Sequence, residues 1–334
     1  LKRLALNKME LYLLLIIVAY STVVSIVNPA FLSLETLLDM MRASSGMLIL
    51  ALGVLVVLIS RGIDVSFTAV AIIGGYSSAR AMLAIGIDNL FFAFAVSGLI
   101  GLLLGSVNAL IIHQFKLPTL IVTLGTSSVF YGLMTTFLGT KSITPSQMPS
   151  SLKEFGSQRL IELSTSNGTV YGLSVFIIPV VLVIIATWFL LYKTMIGRGI
   201  FAMGNSEEAA VRAGFNLFVL RLVIYAFVGV LSGIMGVIYV SEVKMVNPVS
   251  LVGTELSIIA AAAIGGAKLT GGQGTIFGTI LGVTIIQLLN STLVFLKLST
   301  SWNSLFIGIV LVVSVSITSY QERVKNEKNL IFNS

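Results

Sequence analysis

The stretch "LYLLLIIVAYSTVVSIV", Leu11 to Val27, carries no charged side chain. A helix needs about 20 predominantly apolar residues to cross about 30 Å of hydrocarbon, and this block approaches that length. It follows Lys2, Arg3 and Lys8, so a secretory signal is the first alternative to test. The apolar run is longer than the ~7 to 15 residues of a signal core, and "VNPAFLS" after it lacks a small-x-small cleavage pattern. An uncleaved first membrane span is the expectation.

Working outward, similar blocks recur near 44–60, 67–87, 90–112, 119–139, 170–191, 219–241, 255–267, 275–297 and 302–320. The eighth is short enough to be a half-helix or a re-entrant piece. Charged residues are 10% of the 334 and hydrophobic residues 56%, whereas a soluble domain carries about 25% charged residues. The fold class is therefore all-α: one polytopic transmembrane helical bundle over residues 1–334, with about ten spans and broken helices. In lipid each helix satisfies its own backbone, and no ~10-residue alternation of a membrane barrel occurs.

With both ends on the cytoplasmic face, 13 Lys and Arg fall in inner segments and 6 in outer ones, with Arg80 inside the third span. That bias agrees with the positive-inside rule. The net charge of +7 is thus a matter of orientation; the basic residues form no aromatic-flanked patch for nucleic acid. Two connections are long, an outer one at about 140–169 and an inner one at about 192–218. Small residues recur at helix-packing spacing, at Gly98, Gly101 and Gly105, at Gly229, Gly233 and Gly236, and at Gly278 and Gly282. Close backbone approach is their expected role, since lipid gives no hydrophobic drive between helices.

The inner connection contains "GNSEEAAVRAG", Gly204 to Gly214. Ser206 is an N-cap, Glu207 and Glu208 suit the positive end of the dipole, and Arg212 stands four residues after Glu208. Gly214 suits a left-handed C′ position. A two-turn helix follows, far below the ~12 to 15 residues of a marginally stable isolated helix. It must dock, either on the protein's own inner face or, through Ala209, Ala210 and Ala213, in a groove of another protein.

Glu208, Ala209, Ala210 and Gly214 resemble the E-A-A-x-x-x-G loop of ATP-binding-cassette (ABC) importer permeases, although no Leu-Pro follows Ile224. The resemblance extends along the chain and is closest to permeases for ribose and related monosaccharides. "ISRGIDVSFTAVA" (Ile59 to Ala71) is similar to that family's G-G-I-D-L-S-V-G-S segment, with Phe67, Thr68 and Ala69 departing from it. "FKLPTLIVTLGT" (Phe115 to Thr126) and "TELSIIAAAAIGGAKLTGGQGTIFGTILG" (Thr254 to Gly282) resemble two more family segments. The resemblance implies that the short helix inserts into cytoplasmic ATPase subunits, with Ser206, Glu207, Glu208, Ala209, Ala210, Arg212 and Gly214 as the coupling residues. It also implies an extracytoplasmic solute-binding protein, a second permease as homodimer or heterodimer, and residence in a bacterial plasma membrane.

No G-x-x-x-x-G-K-[ST] occurs, so ATP and Mg are expected on the partner subunit and no cofactor or metal on this chain. His113 is alone, and cysteine is absent; the chain is read as a non-enzyme. An ionisable group at a span centre costs about 2.5 to 3.5 kcal/mol, so each asks for a reason. Asp64 is expected to pair with Arg61 across Gly62, and Arg80 and Glu255 are either a buried pair or snorkelling ends. Asp64 and Ser66, with the neutral polar groups Asn108, Thr123, Ser127, Ser128, Gln287 and Asn290, are candidates for a solute path or for helix cross-links. The expected function is ATP-driven import of a monosaccharide or sugar-like solute. The alternatives are import of a furanosyl autoinducer or nucleoside by the same route, an ion-gradient transporter using Asp64, or a non-transporting scaffold.

Overall fold

The computed structural model describes residues 7–164, 168 and 170–295, with 299, 301–302, 305–309, 312 and 316 beyond them. Helix α1 (Lys8–Val27) starts at a reciprocal cap between Asn7 and Glu10, and a short turn, Pro29–Leu32, leads into α2 (Leu34–Ile59). An irregular stretch over 60–66 separates α2 from α3 (Phe67–Ile85), followed by α4 (Leu90–Phe115) and α5 (Thr119–Phe137). Next come α6 (Ser150–Ser157) and an antiparallel hairpin of β1 (Arg159–Ser164) and β2 (Val170–Ser174). Helices α7 (Ile177–Lys193), α8 (Met195–Asn205), α9 (Glu207–Arg212), α10 (Leu217–Val243), α11 (Glu255–Ile264) and α12 (Ile276–Phe295) complete the order.

Seven of these helices are long and apolar enough to span a membrane, and α7 with α8, bent by 73°, supplies an eighth if counted as one. About ten spans is therefore too many for the described residues. The expected eighth span is α11, whose ten residues reach only about 15 Å. The expected sixth starts late, because 170–174 is a strand paired with β1. The tenth, 302–320, lies mostly outside the described residues, as do Lys2, Arg3, Lys297, Arg323, Lys325 and Lys328, on which part of the orientation argument rested.

At the centre stands α2, whose run Ile49 to Ile59 is fully or almost fully buried. Against it pack α10, α12, α7 and α11, and α10 in turn joins α3 and α4 in the most tightly packed group of the bundle. Their closeness comes from glycine. A Cβ on Gly101 would overlap the carbonyl of Gly229, one on Gly229 that of Gly101, and one on Gly105 that of Tyr225. Gly236 meets Ala71 and Gly75 on α3 in the same way, and Gly278 and Gly282 of α12 lie on Gly265 and Ala261. Gly98 is the exception, with open space where its Cβ would stand.

The connections gather at two opposite ends. At one, the Gly272 amide donates to the carbonyl of Ile59 at 2.8 Å, which ties the 268–275 loop to the end of α2 beside α8. At the other, Arg42 donates to the Gly156 carbonyl at 2.8 Å, Tyr76 donates to the Lys141 carbonyl at 2.9 Å, and Ile143 bridges Val246. This grouping separates the segments as the charge count divides them.

Helix α6 has Pro149 at its N-cap and no side-chain cap of its own. Asp88, from the α3–α4 turn, takes that role by accepting from the Ser150 and Ser151 amides at 3.0 and 2.9 Å and from the Ser150 hydroxyl. The Ser150 and Ser151 hydrogen bonds hold its carboxyl down to about 2. A carboxyl depressed on folding contributes stability that is complete above its unfolded value, and loses it as pH falls toward the folded value. The tether is thus expected to survive acidification to about pH 4 and to weaken only between about 4 and 2. Solvent screening keeps a cap at this exposed site to about 1 kcal/mol. Asp88→Ala should therefore speed amide exchange in α6 about fivefold at neutral pH, and hydrogen-exchange mass spectrometry reads this directly.

Candidate coupling helix and solute path

The polar helix forms as its sequence dictates. Ser206 Oγ accepts from the Ala209 amide at 3.2 Å, and Arg212 reaches Glu208 at 3.2 Å. Gly214 takes φ +85, so that Phe215 donates to the Ala210 carbonyl and Gly214 to that of Val211. Those two bonds satisfy carbonyls a helix end otherwise leaves open.

The structure divides the residues of α9 by face. Ala210 is completely buried in the bundle. Glu207, Glu208, Ala209, Val211, Arg212 and Ala213 are exposed, and Val211 adds an apolar side chain to this face that the sequence alone did not single out. The Glu208–Arg212 pair is 80% exposed at Arg212 and 84% at Glu208, so it shapes the surface and adds little stability. Glu207 does more. Its Oε1 accepts from Arg221 Nη2 of α10 at 2.7 Å, and Arg221 Nη1 lies 3.4 Å from His113 Nδ1 at the end of α4. His113 also lies against Phe218. One arginine therefore joins α9, α10 and α4. Beside it opens a cavity of about 800 Å³ lined by Arg61, His113, Lys116, Glu207, Arg221 and Tyr225 among others.

Of the path candidates, the structure brings four together. Asp64 Oδ1 accepts from the Ser66 amide and hydroxyl, both at 2.7 Å, and Asn108 Nδ2 donates to Ser66 Oγ at 2.8 Å. Thr123 Oγ1 accepts from the Val65 amide at 3.3 Å, and Thr119 from that of Ile63 at 2.8 Å. The α5 threonines supply partners that the non-helical 60–66 backbone requires, while Asn108 of α4 fastens the Ser66 side chain. Exposure of 4% at Asp64 and 1% or less at Ser66, Asn108 and Thr123 makes them a knot inside the bundle. Asp64 makes no ion pair with Arg61, contrary to expectation; Arg61 turns outward, with its backbone at φ +66.

Ser127 is half-buried one turn along α5 from Thr123, and Ser128 turns outward. Gln287 and Asn290 stand apart on α12, which packs on α1, α2 and α11. Gln287 donates only to Ser291, at 3.5 Å. Of the two alternatives for Arg80 and Glu255, the buried pair is absent. Arg80 is exposed, whereas Glu255 accepts from the Thr68 hydroxyl at 2.5 Å, and twelve residues of α3, about 18 Å, separate Thr68 from Arg80. Among the described residues no three His, Asp or Glu side chains converge as metal ligands.

Residues 36–315 match the family described as the branched-chain amino acid transport system permease component. The chain belongs to this permease family. Ribose import permease protein RbsC of Haemophilus influenzae is 32% identical over 298 residues, 89% of each chain. RbsC of Bacillus subtilis is 33% identical over 293 residues, 88% of this permease and 87% of the relative. The autoinducer 2 import system permease protein LsrC of Escherichia coli is 28% identical over 324 residues, 97% and 90% of the two chains. No solved structure matches. The protein is accordingly a multi-pass permease subunit of an ABC-type importer and not itself an enzyme.

Proposed function

We propose that this permease moves a monosaccharide or sugar-like solute inward across a bacterial plasma membrane, with both termini cytoplasmic. Similarity along nearly the whole chain to permeases named for ribose and autoinducer 2 import supports that solute class. A second permease completes the pore, an extracytoplasmic binding protein delivers the solute near α6 and the hairpin, and cytoplasmic ATPase subunits bind ATP and Mg. The observation that carries the coupling reading is the geometry of α9. Its outer face is free of the bundle, while its inner face is fixed to α10 and α4 through Ala210 and the Glu207–Arg221–His113 chain.

In this mechanism, closure of the ATPase pair draws α9 and, through Arg221, tilts the tightly packed α3–α4–α10 block. Asp64 holds the α2–α3 break through Ser66 and carries no gradient-driven proton. Proteoliposomes containing the permease, its ATPase subunits and its binding protein provide the test. Labelled D-ribose, offered with D-glucose and 2-deoxy-D-ribose as a panel, should enter only when ATP is present, with or without an uncoupler. Uptake that persists without ATP and collapses with an uncoupler would overturn the assignment in favour of an ion-driven carrier.

A further inference from the structure

Glu255 is a carboxylate that the proposed mechanism leaves unused. Arg42 pairs with Glu242, Arg212 with Glu208 and Arg221 with Glu207, whereas Glu255 is bonded to the neutral Thr68. Its depth follows from its neighbours. Thr68, its hydrogen-bond partner, is eight residues or about 12 Å along α3 from Tyr76, and Tyr76 reaches the Lys141 carbonyl at the end opposite α9. Tyr131 lies twelve residues or about 18 Å from the start of α5 and six residues or about 9 Å from its end. Thr68 and Tyr131 thus lie within two helices long enough to span a membrane, and Glu255 meets Thr68 there; an ionised side chain within a span is costly and calls for a functional reason.

Two further observations concern unused hydrogen-bonding capacity. A carboxylate offers about four acceptor sites, and Thr68 fills one of them. The buried Tyr131 hydroxyl lies beside Glu255 and within reach of the Thr68 hydroxyl, but Thr68 already donates to Glu255 and Tyr131 makes no hydrogen bond of normal geometry. Buried polar groups in native proteins nearly always have partners, so an orphan of this kind points to one that is missing. Four residues before Tyr131, and so on the same face of α5, the half-buried Ser127 adds another hydroxyl. Helix α5 packs on α3 and α4 alone to any extent, leaving its far side open, with nothing within reach of a Cβ at Gly125 or Gly132.

We propose that Glu255, Tyr131, Thr68 and Ser127 form a mid-membrane station that binds the hydroxyl groups of the solute. Glu255 accepts from ring hydroxyls, the Tyr131 hydroxyl donates to a ring or hydroxyl oxygen, and its aromatic face covers C–H groups. A few placed polar groups against an apolar wall are the chemistry that recognises a neutral polyol. The cluster rests on the sugar reading and gives it a location. It is separate from the Asp64 knot, where Asp64, Ser66 and Asn108 bond to one another and Thr123 bonds to the backbone, with Asn108 Oδ1 left unpartnered.

The test uses the reconstituted complex with labelled D-ribose, D-glucose and 2-deoxy-D-ribose. Glu255→Gln keeps an acceptor for Thr68 and removes the charge, so uptake should fall about tenfold or more. ATP hydrolysis stimulated by the binding protein should remain, and the ratio between D-ribose and 2-deoxy-D-ribose should shift, which loss of folding alone would not produce. Tyr131→Phe, which leaves the fold's volume unchanged, should lower uptake about threefold or more with the same change of ratio. Wild-type transport with unaltered rates and ratios in Tyr131→Phe overturns the station while leaving the sugar reading intact. A wild-type complex that moves none of the three sugars overturns both.

Discussion

Gly229→Leu should yield no stable permease, while Gly98→Ala should leave it intact. At Gly229 the obstacle is the Gly101 backbone, and the same clash occurs from the other side. A side chain that meets a flexible neighbour can be accommodated by a rotamer change. One that meets a carbonyl must separate the helices. Overpacking in a core typically costs about 1 to 3 kcal/mol and occasionally more. Here separation would also loosen Gly105 from Tyr225 and Gly233 from Ser97, because these contacts lie along the same α4–α10 seam. The Ser97 hydroxyl bond to the Gly233 carbonyl, 2.7 Å long, would be lost with them. Size-exclusion chromatography and thermal unfolding in detergent should show an aggregated or strongly destabilised Gly229→Leu and a wild-type-like Gly98→Ala. A monodisperse Gly229→Leu with unchanged unfolding temperature would mean that α4 and α10 do not meet in this register.

The same comparison shows what the sequence could reveal. Glycine spacing announced close packing at Gly101 and Gly229, since a 3.6-residue period places such residues on one face. It could not show which helix lies opposite, and so did not separate Gly98 from its neighbours. The α9 signals were legible residue by residue because caps, dipole complementarity and the left-handed glycine act within one turn. Segment 170–174 was misread because a short run of apolar residues is ambiguous between a strand and the start of a span; only the partner strand β1 decides it. Opposite charge left Arg80 and Glu255 open as a pair or as snorkelling ends, and α3 rules out the pair by placing Arg80 about 18 Å along its axis from Thr68. Thr68 and Glu255 are 187 residues apart. Tyr131 gave no signal in sequence, because an orphaned hydroxyl is a property of surroundings assembled from three helices. Family likeness supplied the transport reading, which no local pattern contains.

The connection through Arg221 makes the second large expected effect specific to coupling. If α9 is the input lever, its force must pass through contacts that survive movement. Ala210 provides one, and the 2.7 Å Glu207–Arg221 pair the other, with Arg221 15% exposed and Glu207 53% exposed at their side chains. Partial exposure makes the pair modest as a source of stability, so Arg221→Ala should insert and fold. It should nevertheless release α9 from α10 and α4. Gly214→Val acts at the other end of the helix, forcing a β-branched residue into φ +85 and breaking the turn that aims Phe215 back at Ala210. Both variants should keep ATP hydrolysis near wild type and lower solute moved per ATP about tenfold, within the 5- to 150-fold range of coupling energies of about 1 to 3 kcal/mol. Glu208→Ala should act in the same direction through the outward face. The reciprocal exchange Glu207→Arg with Arg221→Glu separates transmission from simple damage, because it restores the pair with its charges reversed. Recovery of coupled uptake in the exchange, and not in either single variant, would assign the transmission to this contact. Unchanged uptake per ATP in Arg221→Ala and Gly214→Val would leave α9 as a surface turn and require the force to enter the bundle elsewhere.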